Sequence, residues 1–283
     1  MSLHLASILR AVLGIALLSC LDGAIKAVTG MFPTAQIVTM RFSIGTLLVL
    51  ALCLIMRPGW PSWETIRTNA VRSVFGAING FCFFYALGEL PLAEVLVLTF
   101  LAPIFIALLG IPLLNERVDR RVIYALVIGF AGLAVVVLGQ MENDGPARSI
   151  SGIVAALASA VSYAASLVLL RSRAQKDALI HIVLLMHLGP ALMSAPFAYA
   201  VWVAPEGRDW LWFLLIGVFG LSGHYLIASA YKYVQAAKLA PLEYTAIIWA
   251  IIIGYAFFDE IPTIYTFAGG ALIILGAFLS SRR

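Results

Sequence analysis

Apolar residues run along this chain in long blocks separated by short polar connections. The blocks fall at roughly 8–28, 33–56, 69–88, 92–114, 121–140, 151–170, 179–202, 210–232, 238–258 and 262–281. Each holds about 18–24 residues, enough for a helix to cross about 30 Å of hydrocarbon at about 1.5 Å per residue. The alternation of polar and apolar positions that marks a membrane β-barrel is absent. The pattern predicts an all-α integral membrane protein of about ten transmembrane helices.

The chain also says nearly the same thing twice. Gly110–Glu116 reads GIPLLNE and Gly254–Glu260 reads GYAFFDE, an offset of 144 residues that also relates Ala86 to Ala230 and Gly132 to Gly276. Five apolar blocks precede the polar connection Gln140–Ile150, which contains MENDGPARS, and five follow it. The expected organisation is a first repeat over 1–140, a linker over 141–150 and a second repeat over 151–283. An odd number of spans per repeat turns the second half upside down in the bilayer. Such inverted repeats place a substrate site near the membrane midplane, between the halves.

Composition agrees with the pattern: 63% of residues are hydrophobic, 11% are charged, and mean hydropathy is +1.02. Too little polar surface exists to cover a soluble domain. Charge then sets orientation. Arg10, Arg57, Arg67, Arg72, Arg117, Arg120, Arg121, Arg171, Arg173, Lys176, Lys232, Lys238, Arg282 and Arg283 fall at one side, against Arg148 and Arg208 at the other. The positive-inside rule therefore places both termini in the cytoplasm of an inner or plasma membrane. The sequence pI of about 9.0 reflects that orientation and implies no nucleic-acid partner. Leu17-Leu18-Ser19-Cys20 loosely matches a lipoprotein cleavage box, but losing the first block would leave an unpaired repeat, so the first helix is expected to be retained. Cys20, Cys53 and Cys82 fall within spans at different depths and read as packing residues.

Ionisable groups inside the blocks cost about 3 kcal/mol each on insertion scales, so each needs a partner, a water-filled cavity or a task. They are Asp22, Lys26, Arg41, Glu94, His187, His224 and Glu243. Ser19, Asp22, Gly23 and Lys26 share one face of the first helix, and Ser159, Ser162, Tyr163 and Ser166 repeat that spacing on the sixth; both faces are expected to meet protein or water. Two readings of Asp22, Lys26 and Arg41 stand: a buried charge network that fixes packing, or a site in which Lys26 or Arg41 meets an anionic group while Asp22 holds the cation or meets an amine. His187 and His224 are either hydrogen-bonded neutral residues or proton-coupling groups. Glu243, after Pro241, is either a helix-capping acid or a protonatable gate. Asp22, His187 and Glu243 are the candidates for gating or coupling. Asn79, Phe83, Phe100, Tyr163, His224 and Trp249 lie near the midplane of their blocks and, with Lys26 and Arg41, form the candidate substrate site. Prolines at Pro103, Pro112, Pro190, Pro196 and Pro241 permit bends, and the glycine pairs permit close helix packing.

No phosphate loop, H-E-x-x-H, paired-cysteine or G-x-S-x-G pattern occurs, so the sequence proposes no catalytic residue, no metal and no cofactor. An integral-membrane enzyme remains the distant alternative and would need catalytic groups clustered at one interface.

The chain resembles the drug/metabolite transporter superfamily, of the EamA-domain type with two tandem repeats. The resemblance rests on L-D-G-A-I-K at Leu21–Lys26 followed by Arg41, on A-L-L-G-I-P-L-L-N-E-R around Glu116, and on L-A-P-L-E-Y-T-A-I-I-W-A at Leu239–Ala250 leading to F-D-E-I-P. The first of these is similar to S-adenosylmethionine, flavin and carboxylate carriers; the general plan is similar to the YddG-type amino-acid exporters. Asp22-Gly23 stands where that family commonly carries a tryptophan motif. The resemblance implies a ten-helix inverted-repeat fold without a prosthetic group, and a small-molecule substrate moved across a lipid bilayer. The expected substrate is a zwitterionic or anionic metabolite, with amino acids or their derivatives first and a flavin, S-adenosylmethionine or a dicarboxylate as alternatives.

Overall fold

The computed structural model describes residues 3–102, 105–106, 108–109, 124, 127–129, 131–132, 134–135, 138, 149–173, 177–233 and 245–281. Residues 141–148 of the expected linker, most of the fifth block, Pro103, Pro112, Glu116, Pro241 and Glu243 lie outside these residues. Within them the chain forms α1 (Leu3–Thr29), α2 (Thr34–Met56), α3 (Trp63–Glu89), α4 (Leu92–Thr99), α5 (Ile150–Arg173), α6 (Leu179–Ala200), α7 (Asp209–Tyr233), α8 (Thr245–Phe258) and α9 (Ile264–Ser281), with no strand among the described residues. Among the described residues six stretches are long and apolar enough to cross a membrane: Ala6–Thr29, Thr34–Met56, Trp63–Glu89, Ile150–Leu169, Leu179–Ala200 and Asp209–Ile227. The protein is thus an all-helical, multi-pass membrane protein.

Local chemistry sets the helix ends. Pro33 and Pro91 stand immediately before α2 and α4, where a missing amide costs nothing. The Ser62 hydroxyl accepts from the Thr65 amide at 3.1 Å and starts α3; Ser149 does the same for Gly152 and α5. This cap starts α3 at Trp63, six residues ahead of the apolar block expected from 69, because Glu64, Thr65, Arg67 and Asn69 are polar yet helical.

Lipid tails are as apolar as leucine, so the bundle is held by close packing and by buried polar contacts. The most extensive partnerships are α1 with α7, α3 with α5 and α2 with α6, followed by α3 with α6 and α2 with α7; α4 packs on α8, α5 and α9. Exchanging α1 with α5, α2 with α6, α3 with α7 and α4 with α8 maps the leading partnerships onto one another. Residues follow suit. Ser73 lies against Gly189, and their counterparts at the 144-residue offset, Gly217 and Gly45, also lie against each other. At the α1–α7 crossing a Cβ on Gly223 would stand 2.7 Å from Leu18 Cδ2 and 3.0 Å from the Gly14 carbonyl oxygen, so a side chain there would have to displace Leu18 and crowd the α1 backbone.

The connections gather at two ends. Lys26, one turn before the end of α1, reaches the α3–α4 and α8–α9 connections. Fully buried Gln36 on α2 holds the α6–α7 connection: its amide donates to the Val203 carbonyl at 2.6 Å and accepts from the Val203 amide at 2.9 Å. At the opposite end Thr65 donates to Asp177 at 2.9 Å, and the His181 ring meets the Gly59 carbonyl at 3.2 Å, joining the α2–α3 and α5–α6 connections. Exposed Trp60 and Trp63 mark this end and exposed Trp202 and Trp210 the other, the positions of interfacial anchors.

Candidate functional site

A charged cluster occupies the middle of the bundle, where α1, α2, α3, α6 and α7 converge. Arg41 is buried at 7% exposure. Its guanidinium lies 4.3 Å from the centroid of the Phe42 ring and 5.5 Å from that of Phe84, and Gly220 of α7 lies beside it. The carboxylate acting on it is Asp22 of α1. Aromatic faces and one carboxylate are what a desolvated guanidinium requires, yet Arg41 Nε is buried with no hydrogen-bond partner among the described residues. Beside it the rings of His187 and His224 meet edge to face, centroids 6.1 Å apart at 87°. His187 Nδ1–H donates to the Val183 carbonyl at 2.9 Å and His224 Nδ1–H to the Gly220 carbonyl at 2.7 Å. A carbonyl only accepts, so each neutral ring keeps Nε2 as an acceptor. The ring edge of His187 lies against Gly45.

Sequence reading counted Arg72 among the cations at the membrane edge. Instead it is buried at 7% exposure inside α3, with both His187 and His224 within its electrostatic reach. Its guanidinium donates to Ser166 Oγ at 3.3 Å, Asn69 Oδ1 at 3.3 Å and the sulfur of Met186 at 3.1 Å, all neutral acceptors. Two guanidiniums therefore act on the histidine pair, and among the described residues Asp22 is the carboxylate that acts on Arg41. The signal available in the sequence was Ser62, whose cap carries α3 two turns further than hydropathy suggests.

Lys26, one turn beyond Asp22, is committed elsewhere. Its ammonium donates to the carbonyls of Leu87 at 3.0 Å and Leu90 at 2.7 Å and pairs with Glu260 at 3.0 Å. Those contacts use all three N–H groups. Glu260 in turn accepts from the Leu92 amide at 3.0 Å. Lys26 thus fastens α1 to both connections at this end of the bundle.

The other expected residues divide. Asn79 Oδ1 accepts from Ser159 Oγ at 2.8 Å and ties α3 to α5. Phe100 is buried in the apolar core and Phe83 packs against it, the Phe83 ring edge-on to Phe84. Ser159 and Ser162 are buried, as their face predicts, whereas Tyr163 on the same face is 38% exposed and within electrostatic reach of Arg72. Trp249 is half-buried on α8, one turn from Thr245. An apolar groove between α2 and α7, lined by Leu48, Ala51, Leu52, Ile55, Val218 and Leu221, borders none of them. Among the described residues no histidine, cysteine or carboxylate group is arranged to hold a metal ion.

The model of the EamA-like transporter family matches residues 5–138 and again residues 150–282. The chain is similar to the pseudopaline exporter of Pseudomonas aeruginosa, 29% identical over 98% of this chain and 96% of that one. It is also similar to human solute carrier family 35 member G1, 30% identical over 82% and 67%, and to the S-adenosylmethionine uptake transporter of Rickettsia felis, 26% identical over 67% and 63%. A crystal structure superposes with a TM-score of 0.67 at 23% identity, covering 96% of this chain and 95% of that one, a likeness of fold.

Proposed function

The chain belongs to the EamA-like transporter family, and we propose that within it this protein is a secondary transporter of small zwitterionic or anionic metabolites. Amino acids or their derivatives are the first choice of substrate. The observation that carries this reading is the surplus of cationic charge in the middle of the bundle: Arg41 and Arg72 set against Asp22, around two neutral ring acceptors. A substrate carboxylate supplies the missing negative charge, and Asp22 or a histidine Nε2 accepts from a substrate amine. The names of the pseudopaline exporter and the S-adenosylmethionine uptake transporter fit organic solutes of this class and support export and uptake alike.

Alternating access between two inverted five-helix halves is the proposed mechanism. The exchange of helix partnerships between the halves, and the two family matches with their boundary between residues 138 and 150, support it. In the proposed orientation both termini are cytoplasmic and the Lys26–Glu260 end faces outward. With the three native cysteines replaced, Glu206→Cys is expected to react with an impermeant thiol reagent added to intact cells, and Ser62→Cys only after lysis. Equal labelling of both from outside would end the orientation argument.

The test of function is a thermal-stabilisation screen of the purified protein against L-amino acids, S-adenosylmethionine, riboflavin and succinate. A ligand at about one hundred times its Kd stabilises the folded state by about 2.7 kcal/mol. At least one carboxylate-bearing compound is expected to raise Tm and to be transported in liposomes. Tyr163→Ala and Trp249→Ala are expected to weaken its binding by about 1–3 kcal/mol if these rings pack on the ligand. Stabilisation by riboflavin alone, which bears no carboxylate, would remove the zwitterionic or anionic reading.

A further inference from the structure

Glu94 has no part in the site described above, yet its carboxyl is the most anomalous polar group at the Lys26 end. It lies in the first turn of α4, 7% exposed, and its Oε2 is buried with no hydrogen-bond partner among the described residues. The Thr266 hydroxyl of α9 hydrogen-bonds to its side chain. The charged groups that act on it are Glu260, from the α8–α9 connection, and Lys26 of α1. Among the described residues the other neighbours contribute no countercharge. Glu89 of α3 is turned to Ser149, Asp22 faces Arg41, α8 has no charged residue, and the basic residues of α5 stand at its far end.

Lys26 cannot serve both carboxyls. Its three N–H groups are spent on the Leu87 and Leu90 carbonyls and on Glu260. Two carboxyls and one ammonium, largely removed from water, leave the group one positive charge short, and like charges at close range resist joint ionisation. We propose that Glu94 is a proton-binding site and that its proton is the ion to which transport is coupled. The coupling half of this proposal rests on the transporter reading; the proton site does not.

The geometry supplies the exchange. When the Lys26 end opens, the ammonium leaves the Leu87 and Leu90 carbonyls and its N–H groups become free for Glu94. The Glu94 O–H bond then breaks heterolytically, the electron pair stays on oxygen, and the proton passes to water. Closure reverses each step.

Dicyclohexylcarbodiimide reads this site directly in the purified full-length protein. The reagent takes the carboxyl proton on nitrogen, bonds the carboxyl oxygen at its central carbon and rearranges to a stable N-acylurea, so it marks protonated carboxyls in apolar surroundings. Mass spectrometry is expected to find the adduct on the peptide carrying Glu94 at about pH 6, at least tenfold above Glu260, with a fall of at least tenfold by about pH 9. Infrared spectra at about pH 6 should contain a protonated-carboxyl C=O band that Glu94→Gln lacks. Should Glu94→Gln fold poorly, Glu260→Gln provides the second reading: Lys26 is freed to serve Glu94, and labelling falls. An unlabelled Glu94 together with no such band overturns the proposal, including the case in which a substrate amine fills the site. So does labelling of Glu260 equal to that of Glu94. A labelled Glu94 in a protein that moves none of the screened solutes keeps the proton site and removes the transport reading; transport with Glu94 unlabelled does the reverse.

Discussion

Exchanging the charges of Lys26 and Glu260 is expected to damage the protein as much as reversing either one alone. A simple ion pair would survive the exchange, but each partner here also serves the backbone. The Leu87 and Leu90 carbonyls need the donors of Lys26, and the Leu92 amide needs the acceptor of Glu260. With a carboxylate at position 26, two carbonyls face a second set of lone pairs; with an ammonium at 260, an amide faces a second donor. Both side chains retain some exposure, 14% and 19%, so the expected loss lies at the lower end of the range for broken buried pairs, about 2–4 kcal/mol. Glu260→Gln should be the mildest variant, since its carbonyl still accepts from Leu92, and Lys26→Met clearly worse. Thermal unfolding of the five variants in one lipid or detergent system checks the order. Recovery of wild-type Tm by the double exchange would reduce the contact to electrostatics.

Neutralising Asp22 and Arg41 together is expected to separate packing from function. Arg41→Gln alone leaves Asp22 in the bundle without its countercharge and should cost about 3–5 kcal/mol. Asp22→Asn with Arg41→Gln removes both charges and should recover most of that stability. Transport should not recover, because a desolvated guanidinium lost from a carboxylate site costs about 2–5 kcal/mol of binding, roughly 30-fold or more in affinity. The measurement is uptake into liposomes of the compound found by stabilisation, beside Tm for each variant. A stable double variant that transports at the normal rate would make the cluster a packing device, the alternative already visible in the sequence.

Hydropathy was enough to find α1, α2, α5, α6 and α7 to within a few residues, because in a bilayer the length of an apolar run is itself the structural constraint. It misplaced the start of α3, where a serine cap and backbone hydrogen bonds, not solvation, decide. The same error hid Arg72, counted with the edge cations although it stands third-turn deep in the helix. Asp22, Arg41, His187 and His224 were legible as costly residues, and the structure brings all four together. Their arrangement was not legible, since which carbonyl an imidazole chooses and which ring a guanidinium meets depend on helix rotation. Glu260 entered the sequence reading as the repeat partner of Glu116 and within F-D-E-I-P, with no side-chain partner assigned. Its tie to Lys26 spans most of the chain and leaves no periodic trace.

The pairing of Gln36 with Val203 has a mechanical consequence. A side-chain amide and a peptide group joined by two hydrogen bonds form a fixed point between α2 and the α6–α7 connection. Any tilt of α2 against that hairpin turns about this point. From Gln36 to Met56 the helix is a lever of about 30 Å, so a tilt of about ten degrees carries its far end about 5 Å while the pivot stays in place. The groove lined by Leu48, Leu52 and Ile55 against Val218 and Leu221 lies along the travelling half of that lever, where a displacement of side-chain size is taken up by apolar surfaces that slide without breaking a hydrogen bond.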